Sequence, residues 1–251
     1  MQNKSKRLIS LLVVACLSIF VAVGLNFSMT SVSAANNYRK TYRHKSRKYN
    51  HARNSRFMHY QFISQKGRGN ANDGCEAASL LMALHHFDLA KHYNLAQFVR
   101  TIPRSKDPEK GYTKNPWKLG TGASLYPRAL LKVAQRYGAK KSYIIDDYYK
   151  HGHGLYGRKA SANAFRQAIL KGYPVVFEGC NHMQFGTRTN RRGYNGYRSD
   201  RVMLIYGYRN HRFYWTDPDQ WYNRPGNTPE KAFMNIINAP IRGPRAVAIG
   251  K

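Results

Sequence analysis

The chain of 251 residues is long enough for one domain of ordinary size with additional segments. Its hydrophobic fraction of 42% is sufficient for a folded core, which excludes a wholly disordered chain. Lys and Arg number 42 against 12 Asp and Glu, a formal net charge of +30, so the expected partner is an anion such as nucleic acid, membrane lipid or a cell-wall polymer.

Residues 1–34 are typical of a signal peptide for export. A basic segment precedes an uncharged apolar run over residues 8–25, and small residues lead up to a cleavage site after Ala34. An uncleaved membrane anchor is the alternative, because the run is nearly long enough to span a bilayer. We therefore expect a secreted or cell-surface protein that meets a cell-wall polymer or a membrane surface and no nucleic acid.

Residues 35–57 are predicted to form a basic disordered arm. Eight Lys and Arg residues occur between Arg39 and Arg56, with no acid and almost no aliphatic side chain, so this segment cannot bury a core. Interleaved tyrosines could contact sugars or lipid headgroups. The alternative interpretation is a solvated spacer without a partner.

The folded domain is expected over residues 58–251, and its central feature is a helix that begins near Cys75. Asp73 and Gly74 break the chain directly before it, and apolar residues then recur at helical spacing. The helix dipole and the unpaired amides of the first turn favour a thiolate at Cys75, which predicts a nucleophile. A small buried cysteine is the other interpretation. A disulfide to Cys180 also stays open, and it would remove the nucleophile.

The remaining elements predict helices first and strands afterwards, hence an α+β fold with N-terminal helices packed on a C-terminal antiparallel sheet. An almost continuous apolar run over residues 202–208 predicts a strand buried on both faces, and residues 213–216 return as a hairpin that Asp217-Pro218 ends. Other helices are predicted over residues 126–137, 161–172 and 229–238, and other strands over residues 173–177 and 245–249.

Several of these pieces, in their order along the chain, resemble the bacteriocin-leader-peptidase-like family, which has a papain-like cysteine peptidase fold. They are Gln65, the segment Gly-Cys-Glu-Ala-Ala-Ser-Leu at residues 74–80, and residues 172–176, 202–208, 217–218 and 245–247. The resemblance is to stand-alone secreted members. It implies that Cys75 is the nucleophile, that Gln65 helps to form the oxyanion hole, and that Asp217 orients a histidine base.

The base of this family is missing from its expected position. Members of the family have His directly before the apolar strand, whereas this chain has Arg201. Arginine stays protonated and cannot accept a proton from a thiol, although its charge could stabilise a thiolate. His182 follows a predicted strand and is the candidate replacement base. No spacing of His, Asp or Cys predicts a metal site, and no cofactor is expected.

Two functions therefore remain open. The first is an exported papain-like cysteine peptidase that hydrolyses peptide bonds with Cys75, Gln65, Asp217 and His182. The second is a catalytically inactive pseudo-peptidase that binds a peptide ligand or the cell wall as a basic surface module. An amidase of similar chemistry is a third option. The retained residues favour the first function, while Arg201 and the positive charge favour the second.

Overall fold

An antiparallel sheet of seven strands lies at the centre of the computed structural model, which describes residues 54–145, 161–180, 183, 200–237 and 246–251. The predicted signal peptide and most of the predicted arm lie outside these residues. Within the described part of the chain, no helix is both long and apolar enough to cross a membrane.

The sheet is built around its longest strand, β4, which pairs with β3 on one side and with β5 on the other. The order across the sheet is β2-β7-β3-β4-β5-β6, and β1 pairs with the far end of β4. The strands are β1 (Arg56–Phe57), β2 (Tyr143–Ile144), β3 (Val175–Cys180), β4 (Asp200–Arg209), β5 (Arg212–Thr216), β6 (Gly226–Pro229) and β7 (Ala246–Ala248).

Helices cover both faces of this sheet. They are α1 (Cys75–His85), α2 (Leu95–Arg100), α3 (Pro127–Arg136), α4 (Ala162–Leu170) and α5 (Glu230–Ile237). Residues of α1, α2 and α3 belong to one buried apolar cluster, and residues of α4 and α5 belong to a second one. The sheet therefore separates two cores.

Strand β4 is buried on both faces, as its continuous apolar run predicts. Val202 and Leu204 belong to the cluster on the α1 side, whereas Met203 and Ile205 belong to the other cluster. This alternation follows from the period of two along a strand. The predicted α+β architecture is confirmed, and the structure adds that α4 and α5 pack against the face opposite α1.

The boundary between arm and domain differs from the prediction by two residues. Arg56 and Phe57 were expected in the disordered arm, but they form β1 and pair with Tyr208 and Gly207. The ring of Phe57 packs against the face of Gly207, where a Cβ atom would lie 2.5 Å from it. Pairing with β4 fixes these two residues, and no local pattern in the sequence predicts that pairing.

Candidate active site

Cys75 is the first residue of α1. The residue before it, Gly74, is the N-cap of the helix and makes no side-chain capping bond. A Cβ atom at Gly74 would lie 2.9 Å from the Cβ of Ala71 and 3.2 Å from the carbonyl oxygen of that residue. This close approach requires glycine, and it sets the turn from which the helix begins.

Two side chains of α1 bind the backbone of Val202 in β4. The Val202 N–H donates to Cys75 Sγ at 3.4 Å, and the Ser79 hydroxyl donates to the Val202 carbonyl at 3.1 Å. The pairing of β5 with β4 stops at Leu204, so α1 lies along the part of β4 that β5 leaves uncovered. Spacing of four residues on the helix thus fixes Cys75 against the edge of the strand.

The thiol of Cys75 is free in the described part of the chain; the side chain of Cys180, the other half of the disulfide that the sequence left open, lies outside the described residues. Cys75 is partly exposed, the next nine residues of α1 are buried, and His85 at the end of the helix is partly exposed again. Cys75 is therefore the residue in the first turns of α1 that solvent reaches.

Glu76 is a buried carboxyl group directly beside the thiol, with only 5% of its surface exposed. Its Oε1 accepts the Leu125 N–H at 3.2 Å, and its Oε2 accepts the Tyr112 hydroxyl at 3.4 Å and the Cys75 thiol at 3.6 Å. Burial raises the pKa of Glu76 to about 8, and the negative charge of Glu178 contributes to this rise. Glu76 is therefore mostly neutral at pH 7.

The pKa of the Cys75 thiol is raised well above its ordinary value. Burial is the largest cause and the charge of Glu76 is the second, while Asp217 adds a smaller effect in the same direction. The Val202 N–H and the positive charge of Arg201 both lower this pKa, but they do not outweigh the burial. The expected activation of Cys75 by the start of the helix is thus outweighed by its surroundings.

Arg201 lies in β4 directly before Val202, in the position where the resembled family has its histidine base. Its Nη2 forms an ion pair with Asp219 Oδ2 at 2.8 Å, and both side chains are largely buried. The Nε of Arg201 is buried and has no hydrogen-bond partner among the described residues. A guanidinium held in this way supplies positive charge near the thiol but cannot accept its proton.

Gln65 is fully buried and reaches the same carboxylate. Its Nε2 donates to the carbonyl oxygen of Asn72 at 2.9 Å and to Asp219 Oδ1 at 3.1 Å. Because both neighbours are oxygen acceptors, it is the NH2 group of the amide that faces them. Both amide hydrogens of Gln65 are engaged, and neither is available to stabilise an oxyanion.

Asp217 directly follows β5 and is almost completely buried. Its Oδ1 accepts the backbone N–H of Asp219 at 2.8 Å, which closes a short turn and places the Asp219 carboxylate toward Arg201 and Gln65. Asp217 is linked to Cys75 through Asp219, which pairs with Arg201, the residue directly before the Val202 N–H that contacts Cys75 Sγ. His182, the base that Asp217 was predicted to orient, lies outside the described residues, so its position relative to Cys75 stays a prediction.

The histidines at the end of α1 are engaged elsewhere. A ring nitrogen of His85 lies 3.2 Å from the carbonyl oxygen of Ala90, and one of His86 lies 3.0 Å from the carbonyl oxygen of His59. They follow Cys75 by ten and eleven positions, which corresponds to about 15 Å along a helix. Among the described residues, no group of His, Cys, Asp and Glu is arranged to hold a metal ion.

The structure brings Cys75, Gln65 and Asp217 into one site and adds two residues that sequence reasoning missed. Asp219 is the carboxylate that joins Arg201 to Gln65, and Glu76 is the buried acid at the thiol. A weak signal existed for both. Asp219 follows Asp217 by two residues in a tight turn, and Glu76 is an acidic residue at the start of a largely apolar helix.

Comparison with known proteins bears on the family and the fold of the chain. The model of the Peptidase C39 like family matches residues 57–238. A crystal structure of a candidate C39-like peptidase from Bacillus anthracis superposes with a TM-score of 0.54 and 17% sequence identity, over 78% of this chain and 98% of that chain. At this identity the likeness supports the fold alone. No curated protein matches the chain.

The family match covers most of the chain, including Gln65, the start of α1, β4 and the turn after β5. The resemblance seen in the sequence and the papain-like α+β fold are thereby confirmed. This chain belongs to the Peptidase C39 like family.

Proposed function

We propose that this chain is an exported, catalytically degenerate member of the family, and that its fold serves as a basic binding module at an anionic cell surface. The observation that carries the proposal is the Asp219 carboxylate. It holds Arg201 in the position of the base and also takes an amide hydrogen of Gln65.

Hydrolysis of a peptide bond by cysteine needs a thiolate, a group that moves the proton, and donors for the oxyanion. The raised pKa of Cys75 opposes the first requirement. Arg201 cannot move a proton, and the protonated Glu76 is a poor acceptor at neutral pH. The engaged amide of Gln65 removes the oxyanion donor that the family resemblance implies.

The charge of the chain supports the binding role. A net charge of +30 attracts anionic polymers and lipid headgroups, and the predicted basic arm concentrates eight of the cations in a short segment. In this proposal the arm holds the protein at an anionic cell-wall polymer or membrane surface, and the fold presents the surface around Cys75 to a peptide ligand.

The test is hydrolysis of a fluorogenic peptide library by the purified protein, with Cys75→Ser as the control for contaminating proteases. We expect no difference between the two proteins. The Arg201→His variant restores a titratable group in the position of the base. On its own it should leave hydrolysis at the background level, because Gln65 stays bound to Asp219. Hydrolysis by the unmodified protein that is lost in Cys75→Ser would overturn the proposal.

A cysteine peptidase is the second candidate, and one observation favours it. Cys75 is free, partly exposed and in contact with the Val202 N–H, which is a geometry that a thiolate can use. In this alternative His182 supplies the base. Hydrolysis of the same peptide library distinguishes the two candidate functions, because a working peptidase loses its activity in His182→Ala as completely as in Cys75→Ser.

A further inference from the structure

A groove of about 600 Å³ lies beside the candidate active site. Its walls are formed by residues 61–63, by the loop of residues 66–70, by residues 91–96 and by the end of α1. Lys66 connects the groove to the candidate active site, because it lines the groove and its Nζ lies 3.6 Å from Asp219 Oδ1. A volume of this size is typical of a site that takes a small ligand or a short piece of a polymer.

The charged side chains among the described residues that line the groove are all basic. Three cations and two histidines contribute to it, and no Asp or Glu occurs among the described residues that line it; the basic members are Lys66, Arg68, His85, Lys91 and His92. Cations that surround a concave surface reinforce each other's field there, which attracts anions more strongly than a flat surface does.

Two of these cations can turn toward a ligand. Arg68 is exposed on the loop of residues 66–70. Lys91 pairs with Asp88 at 2.7 Å, but both side chains of that pair are largely exposed, at 63% and 72%. An exposed pair of this kind is weak and exchanges readily for another anion. Lys66 has less freedom because Asp219 holds it near the candidate active site.

Hydrogen bonds of the Asn70 and Asn72 side chains fix the conformation of the loop that carries Arg68. The Asn70 side chain donates to the carbonyl oxygen of Ser64 at 2.8 Å, and the Gly67 N–H donates to Asn72 Oδ1 at 3.1 Å. Gly69 has a φ of +75°, and a Cβ atom there would meet nothing within 4 Å. Because the loop is already ordered, a ligand would lose little free energy in fixing it.

We propose that this groove binds a phosphodiester-linked segment of a polyol or sugar polymer. The planar fork of Arg68 matches the oxygens of a phosphate group, and Lys91 supplies a second charge. The rings of Phe62 and Tyr93 line the same groove and suit the carbon parts between phosphates. A concave site of this size accepts a flexible chain but not a flat bilayer. The inference rests on the proposed role at an anionic surface, and it names the site and the ligand class.

The experiment titrates the purified protein with a synthetic oligomer of phosphodiester-linked glycerol units. Calorimetry gives the affinity, and NMR shifts of the Gly67 and Gly69 amides report binding in the groove itself. The test variant is Arg68→Gln with Lys91→Gln. The control, Lys132→Gln with Lys140→Gln, removes the same charge from exposed positions that do not line the groove.

We expect shifts of both glycine amides, an affinity about tenfold lower in the groove variant, and an unchanged affinity in the control. Equal weakening of both variants would overturn the inference, because binding would then follow net charge alone. Shifts of the same amides by anionic lipid vesicles or by polyglutamate, at equal charge, would overturn the assignment of the ligand class. Failure of the proposed function would instead be seen as Cys75-dependent hydrolysis, which this titration does not measure.

Discussion

The buried carboxyl group of Glu76 makes the stability of the protein depend on pH. The native state keeps a proton on Glu76 up to about pH 8, whereas the unfolded chain releases it near the ordinary value of 4.5. Between these values the native state binds the extra proton, so the free energy of unfolding falls as the pH rises. This stabilising contribution is fully present below about pH 4.5 and is lost as the pH passes through about 8.

The size of the effect follows from the rise of the pKa from 4.5 to about 8. Each pKa unit corresponds to about 1.4 kcal/mol, so the full change is of the order of 5 kcal/mol. The Glu76→Gln variant stays neutral at every pH. Its amide can still accept the Leu125 N–H and can donate to the Tyr112 oxygen, so the packing is kept.

The assay is urea unfolding followed by tryptophan fluorescence at about pH 5 and about pH 9, which enclose most of the pH range in which the native state and the unfolded chain differ in the protonation of Glu76. Glu76→Gln should match the unmodified protein at the lower pH and exceed its stability by several kcal/mol at the higher one. Asp107→Asn, which removes an exposed carboxyl group, is the control and should show no such difference. If the stability of Glu76→Gln differs from that of the unmodified protein by the same amount at both pH values, the reasoning is refuted.

Two further substitutions test the contacts that hold the site. Asp219→Ala leaves the buried charge of Arg201 unpaired and should lower the free energy of unfolding by about 3 kcal/mol. The control Lys110→Ala breaks an exposed ion pair and should lower it by less than about 1 kcal/mol. Similar losses in the two variants would contradict a role of Asp219 in holding Arg201. Ser79→Ala removes the hydroxyl that binds the buried Val202 carbonyl and should cost about 1–3 kcal/mol in chemical denaturation. No loss there would mean that α1 is not fastened to β4 in this way.

The main elements could be predicted from the sequence because their patterns are local. Helix α1 follows from apolar residues at helical spacing after Gly74, and β4 follows from an unbroken apolar run. Placement of α4 and α5 on the opposite face could not be predicted, because the apolar side of a helix does not specify which face of a sheet it covers. Strand β1 is too short to carry a pattern.

The candidate site was predicted in part for a similar reason. Cys75 was singled out by its place at the start of a helix, and Gln65 and Asp217 by their match to a known family pattern. The ion pair of Arg201 with Asp219 joins residues on a strand and a turn, and only the folded chain brings them together. The raised pKa of Cys75 was also missed, because the helix dipole is a local effect whereas burial beside Glu76 is a tertiary one.

The most direct test of the proposal that the site is degenerate is alkylation of Cys75 by iodoacetamide as a function of pH. Peptide mapping by mass spectrometry follows Cys75 itself in the purified protein, and Cys75→Ser is the control. The account predicts slow labelling at neutral pH that accelerates only above the range of an ordinary thiol, because burial and Glu76 raise the pKa. Rapid labelling well below pH 8 would mean an activated thiolate, and it would contradict the central claim that this site has lost its chemistry.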